Sequence, residues 1–413
     1  MNGSTSTPVV VVGAGAAGLV AAIFARRAGQ PVVVLEKTAD GGRKILISGG
    51  GRCNILPDAI EPERFVTASP AHLVRRLLRS WPLEAQRTFF ERDVGIPLVF
   101  EAATRKWFPA SHRARDVRDG LIALARREGV EFQFGCELMD VTATAGGWQV
   151  ATARGDITAR RVILATGGLS VPSTGSDGAG LRVAARLGHA VHETYPALTP
   201  LVAEPAIHAG LSGISLNVRL RARDHSRTAE TRGGFLFTHR GYSGPSVLDI
   251  SHIAVRSRLV GAERAALRVQ WCDHDQHRWR EILASPTGFV VNVVAQHLPE
   301  RLAETLVTTA GIPLGRTMPE LRRSERAALV EHLTAYALPW TGDEGYKKAE
   351  VTGGGVALTD LNVGTMESRI APGLHLCGEM LDAFGPIGGF NFAWAWATGR
   401  IAGSAAGSDA RRP

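Results

Sequence analysis

The chain reads as an α/β protein with a parallel sheet that opens the sequence, is interrupted by a long insertion, and resumes near the C-terminus. Three observations carry this. Val9–Val12 is an unbroken apolar run, the mark of a parallel strand buried on both faces. Gly13, Gly15 and Gly18 follow in G-x-G-x-x-G spacing and lead into an apolar helix. A second apolar strand, 31–35, ends on Glu36, 23 residues beyond Gly13. Together these make a dinucleotide-binding βαβ unit. Gly13 permits the tight turn, Gly15 lets backbone approach a pyrophosphate, and Gly18 lets helix and strand pack closely. Ala16 and Ala17 open a helix whose free N–H groups face the phosphates. Glu36 stands where a carboxylate takes the adenosine ribose hydroxyls.

The following elements are expected in order. Residues 1–7 form a polar tail. A glycine-rich loop runs from Gly41 to Asn54. Residues 71–92 and 117–129 carry apolar positions at helical spacing. Strands follow at 131–134, 137–144 and 147–153, and a buried strand at 161–164 runs into the small-residue turn Ala165-Thr166-Gly167-Gly168. From 194 to about 275 the pattern is β, with segments at 216–223, 235–238 and 266–271. From about 276 to 342 it is helical, punctuated by Pro299, Pro313 and Pro319. After 343 the strand, glycine loop and helix pattern returns. Residues 8–193 and 343–413 are therefore expected to form one nucleotide domain, with 194–342 inserted as a lid that shapes a substrate cleft.

Composition narrows the class. With 413 residues there is room for two or three domains, and 45% hydrophobic with 21% charged residues is a soluble balance. No apolar run reaches the roughly 18 residues of a membrane span, and the first strand lacks the basic start of a signal peptide. Cys53, Cys136, Cys272 and Cys377 show no C-x-x-C spacing, which points to reduced thiols in a cytoplasm and away from a zinc site. The net charge of +8 is nearly all arginine. It has two readings: a polyanionic partner such as RNA, or a general arginine bias on solvated helix faces.

Three features favour FAD over NAD. The loop Gly41–Asn54 directly follows Glu36, where a nicotinamide dehydrogenase needs no second rigid loop. The turn at Ala165, Thr166 and Gly167 allows close cofactor approach. Gly378-Glu379, then Gly388-Gly389-Phe390-Asn391, open a final helix whose positive end would stabilise negative charge on a reduced flavin.

The segments GRKILISGGGRCN (42–54), ATGGLSVPSTGSDGAG (165–180), FLFTHRGYSGPSVL (235–248), AEVTGGGV (349–356) and GEMLDAFGPIGGFNFAWAWATG (378–399) resemble the BaiN/YhiN-like (RdsA-like) flavoproteins. These are NAD(P)/FAD-dependent oxidoreductases also called aminoacetone-oxidase-like. The resemblance spans about residues 8–405. It implies a glutathione-reductase-type FAD-binding Rossmann domain with an inserted β domain and a helical subdomain. It implies pyrophosphate contacts from Gly13, Gly15, Ala16, Ala17 and Gly18, and ribose contacts from Glu36 beside Lys37. Gly42, Arg43, Lys44 and Ser48 would line the phosphate and flavin side, and Leu138 would meet adenine through its backbone. Glu379 and Asp382 would take the ribityl hydroxyls, and Gly388 to Asn391 would meet the flavin ring. The chain departs from the family at Arg400 and after Asn54.

The implied chemistry is reduction of an activated C=C bond by non-covalent FAD. NAD(P)H is expected as a transient donor, because there is one G-x-G-x-x-G and no second nucleotide unit. Uridine in ribosomal RNA is the favoured substrate. A small enone or amine, or a flavin-bearing RNA assembly factor, are the alternatives. Cys53 is the candidate proton donor, since Arg52 beside it could lower its pKa. The competing reading of Cys53 is a small packing residue. No metal constellation and no membrane partner are expected.

Overall fold

The computed structural model describes residues 7–408 apart from 260 and 262. They form two compact units, one of residues up to Pro196 together with those from Glu350, the other Ala197–Ala349. Each has its own apolar core.

In the first unit, β1 (Val9–Val12), α1 (Ala16–Arg27) and β2 (Val32–Glu36) form the βαβ start. The central sheet has the order 361–362, 367–368, 374–376, 161–164, β1, β2, 131–134. The five strands from 374–376 to 131–134 are parallel, and the two short edge strands are antiparallel. β1 lies between β2 and 161–164 in the register Val10 opposite Val33 and Val162. Branched side chains on both faces of this strand explain the valine run, and all four valines are buried. The parallel register brings Gly13, Ala165 and Cys377, each the first residue past its strand, to one edge of the sheet.

The final helix, Phe390–Gly407, packs along α1 with its backbone close. A Cβ on Gly399, Gly403 or Gly407 would fall against the carbonyl oxygen of Ala17, Ala21 or Ala25 respectively, inside contact distance. Every fourth residue on both helices is therefore small, and the axes approach along that stripe.

Two parts of this unit differ from expectation. The helix expected over 71–92 is broken into Ala71–Arg79 and Leu83–Thr88, ending in a wide turn at Phe89–Val94. Pro82 has no N–H to continue the first helix and starts the second. A three-stranded antiparallel sheet of Leu56–Pro57, Lys106–Pro109 and Leu98–Glu101 went unread. Its hairpin turns on Arg105 in the left-handed region, φ 55°, so the sequence carries no Gly or Asn turn signal there.

The second unit is a seven-stranded antiparallel sheet, in the order 336–337, 266–270, 215–223, 228–237, 241–243, 201–202, 342–343. Strand Thr228–Phe237 extends well before the expected 235–238, because its first half is polar and faces outward. The helix Pro245–Leu259 lies within the stretch expected to be β. Its start on Pro245 after Gly244 is a signal in retrospect. Helices Gln276–Ile282, Val290–Ala295, Glu300–Thr309 and Arg323–Ala335 fill the segment expected to be helical.

Buried histidines make stability pH-dependent. Burial lowers the pKa of His252 to about 4 and of His375 to about 4, and lowers His208, which bridges the Tyr242 and Tyr336 hydroxyls at 2.9 and 3.0 Å. The unfolded chain takes up these protons first, near pH 6.5, so stability falls as pH drops below that value. Between pH 7 and 5 the loss from His252 and His375 is expected to be about 2 kcal/mol each. Urea midpoints measured at both pH values check this, and equal midpoints would contradict it.

Candidate functional site

The three motif glycines have different duties. Gly13 takes φ 103°, and a Cβ there would meet the Ala165 carbonyl oxygen at 2.5 Å. A Cβ on Gly18 would fall against the Gly13 carbonyl oxygen, inside contact distance. Both are required by the fold itself. Gly15 has ordinary extended backbone, and a Cβ there would meet nothing within 4 Å. Gly15 is the N-cap of α1, and the space beside it is open, next to the N–H groups that open the helix at Ala16 and Ala17.

Glu36 ends β2 beside this turn. Its carboxylate accepts from the Ala14 N–H at 2.8 Å, and from the Thr38 N–H and hydroxyl, both at 2.7 Å. A carboxylate has about four acceptor sites, so about one remains for a ribose hydroxyl. Lys37 pairs with Asp177 at 2.8 Å. Leu138 begins its strand next to Cys136, whose N–H donates to the Glu36 carbonyl at 2.9 Å, so its backbone lies near the end of β2.

The loop after β2 is short helix α2 (Arg43–Ile47), then three left-handed glycines, Gly49 to Gly51. Gly42 is left-handed, and a Cβ there would press on the buried Arg118 side chain. Arg43 pairs with Asp40 at 2.7 Å, and the Ser48 hydroxyl donates to the Ile45 carbonyl at 2.7 Å. Lys44 donates to the Ser170 hydroxyl at 2.6 Å and to Glu379. Glu379 also accepts from the Ser170 hydroxyl at 2.5 Å and from the Thr352 N–H and hydroxyl at 3.1 and 3.0 Å. This network ties α2, the turn after 161–164 and the Gly378–Met380 turn together. Ser170 and Thr352 had no assigned role, although both lie inside segments that the resemblance singled out. Gly167, Gly378 and Thr166 sit in close-packed turns. Gly167 is left-handed against Ser176, Gly378 is left-handed over Ala17, and Thr166 lies against Gly180.

One expectation needs correction. Arg52 does not activate Cys53. It pairs with Glu101 at 2.9 Å and stacks over the Phe108 ring at 4.3 Å, while Cys53 is fully buried and burial pushes its thiol up to about 12. A buried thiol that holds its proton this tightly cannot reach a substrate, so Cys53 is a packing residue. Asp382 is tied to the segment 67–69. It is buried, and one carboxylate oxygen collects donors from Thr67, Ala68 and Ser69 at 2.9–3.0 Å. The Asn391 amide clamps its own turn, bonding the Gly385 N–H and carbonyl, both at 2.9 Å. Alkylation of the native protein at pH 8 should accordingly spare Cys53 and label half-exposed Cys272 first. Peptide mass spectrometry reads the order, and rapid labelling of Cys53 would reverse the correction.

Gly388 and Gly389, at φ 106° and 97°, precede the final helix. A Cβ on Gly389 would meet the Leu56 backbone at 2.6 Å, and one on Gly388 would meet Lys106 Cε at 2.8 Å. The turn is thus seated on the small sheet, and it can sit that close only because both residues lack side chains.

These residues fit FAD: an open phosphate turn, a carboxylate with an acceptor site left for a ribose hydroxyl, and a second glycine turn at a helix start. The HI0933-like protein Rossmann domain model matches residues 7–405. The chain belongs to this family. It is therefore an oxidoreductase of the FAD-binding Rossmann type. The HI0933-like chain is 31% identical to the ribosomal RNA dihydrouridine synthase of Escherichia coli over 94% of its length and 95% of that protein. It is 30% identical to the 3-dehydro-bile acid delta(4,6)-reductase of Clostridium scindens, over 98% of its length and 99% of that protein. In fold it is similar to the 3-ketosteroid-delta4-(5alpha)-dehydrogenase of Rhodococcus jostii RHA1, with TM-score 0.50 and 17% identity, covering 98% of this chain and 97% of that one. No helix among the described residues is long and apolar enough to cross a membrane, and no group of three or more metal-ligating side chains is present among them.

Proposed function

We propose that this oxidoreductase uses non-covalent FAD, reduced by NAD(P)H, to saturate a C=C bond conjugated to a carbonyl, and that its substrate is a uridine in ribosomal RNA. The observation that carries the cofactor is Gly15, a glycine with ordinary backbone and open space where its side chain would be. The protein's part is binding and orientation: Gly13 to Gly18 at the pyrophosphate, Glu36 at the ribose, Leu138 backbone at adenine, and Gly388 to Asn391 backbone at the ring. Lys44, Ser170 and Glu379 hold the intervening turn together. When bound, FAD supplies the hydride chemistry.

The substrate class rests on two relatives whose names both describe saturation of an activated C=C bond. The basic charge of the chain, +8, favours the RNA reading, because arginines release counterions from phosphate. The bile acid reductase supports a second reading, a small enone, at nearly the same identity.

Mass spectrometry of ribosomal RNA from a deletion strain is the deciding experiment. Loss of a two-hydrogen mass increment at one uridine, restored by the intact gene, is expected. Unchanged RNA would leave the small-enone reading. Stopped-flow reduction by NADH and NADPH tests the donor, and failure of both would exclude nicotinamide.

A further inference from the structure

Lys106 begins the strand Lys106–Pro109 of the small sheet that seats the Gly388-Gly389 turn. Its Nζ lies 3.6 Å from the position a Cβ on Gly388 would occupy. Its half-buried side chain has no hydrogen bond or ion pair among the described residues. Acids close by are already committed. Glu101, its cross-strand partner in register, holds Arg52 at 2.9 Å and the Thr104 hydroxyl at 2.7 Å, and Asp58 holds Arg105 at 2.7 Å. A free cation therefore stands beside the positive end of the final helix. Two like charges together are unfavourable unless negative charge arrives between them.

We infer that Lys106 is the residue that meets the pyrimidine end of the flavin and stabilises the negative charge of its reduced form. The inference rests on the FAD reading above. It forms no new bond. The ammonium raises the preference of the site for reduced over oxidised cofactor, and so helps draw hydride from the donor. Gly388 is glycine because the lysine stem crosses it.

The test uses the intact, FAD-loaded protein and the variants K106M, K106Q and K106R, with the cofactor potential read by dye equilibration. K106M and K106Q are expected to keep stoichiometric FAD and to lose about tenfold in preference for the reduced form, a potential lowered by about 30 mV. K106R should restore most of it. Flavin potentials in K106M and K106Q equal to wild type would overturn the inference. Loss of FAD in all three variants would also overturn it, since it would make Lys106 a packing residue. Loss of FAD in K106M and K106Q alone, with K106R loaded, would support it. A wild-type protein without flavin would instead refute the FAD reading, which keeps the two failures distinct.

Discussion

Gly15→Val is expected to give a folded but colourless protein. The backbone at Gly15 is extended, φ −79° and ψ −171°, a conformation that suits a branched residue. Nothing in the chain lies within 4 Å of the new Cβ, so the apoprotein gains no clash. The added methyls fill the space the pyrophosphate needs. Overpacking of about 1–3 kcal/mol against a bound ligand corresponds to up to about a hundredfold weaker FAD binding. The absorbance ratio of flavin to protein after gel filtration measures loading, and circular dichroism measures the fold. A fully loaded yellow Gly15→Val protein would show that the pyrophosphate is not at this turn. Gly18→Val makes the complementary case, because its Cβ meets the Gly13 carbonyl whether or not a ligand is present. It should lose the fold and the flavin together.

Gly403→Leu is expected to be strongly destabilising to the first unit. Gly403 is buried in the final helix, against the Ala21 backbone of α1. Both helices are anchored elsewhere. α1 lies on the parallel sheet, and the Trp394 and Trp396 indoles donate to the carbonyls of Gly378 and Ile55 at 3.1 and 3.2 Å. The new side chain can be accommodated only by moving backbone, which puts the cost at about 3–5 kcal/mol, a large share of the 5–15 kcal/mol that holds a typical domain together. Thermal melts should lose well over ten degrees or give insoluble protein. The control is Gly210→Ala, where a Cβ meets nothing within 4 Å and φ is not left-handed, and the melt should be unchanged. Equal melts for the two variants would disprove the close helix approach.

The two predictions separate what each glycine answers to, a ligand or a neighbouring backbone, and the sequence does not mark that difference. G-x-G-x-x-G names all three motif glycines alike. The final helix could be read as apolar, but its partner could not. The Gly399, Gly403 and Gly407 stripe has meaning only opposite Ala17, Ala21 and Ala25, some 380 residues away in the chain.

By itself the sequence determined the βαβ start, the acid at the end of β2, the return of nucleotide-domain character near the C-terminus and the family. These are local signals: apolar runs of the right period, glycines at fixed offsets, a carboxylate at a set distance. It failed where the answer depended on contacts between distant segments. Cys53 beside Arg52 looks activated in the sequence, but backbone at φ 59° turns its thiol into the core while Arg52 leaves for Glu101 and Phe108. Lys106 sat in a hairpin with no turn signal, and only the tertiary structure brings it to Gly388. A side chain's pKa and reach depend on the burial and charges that surround it. Those are properties of three-dimensional packing, which no single stretch of sequence contains.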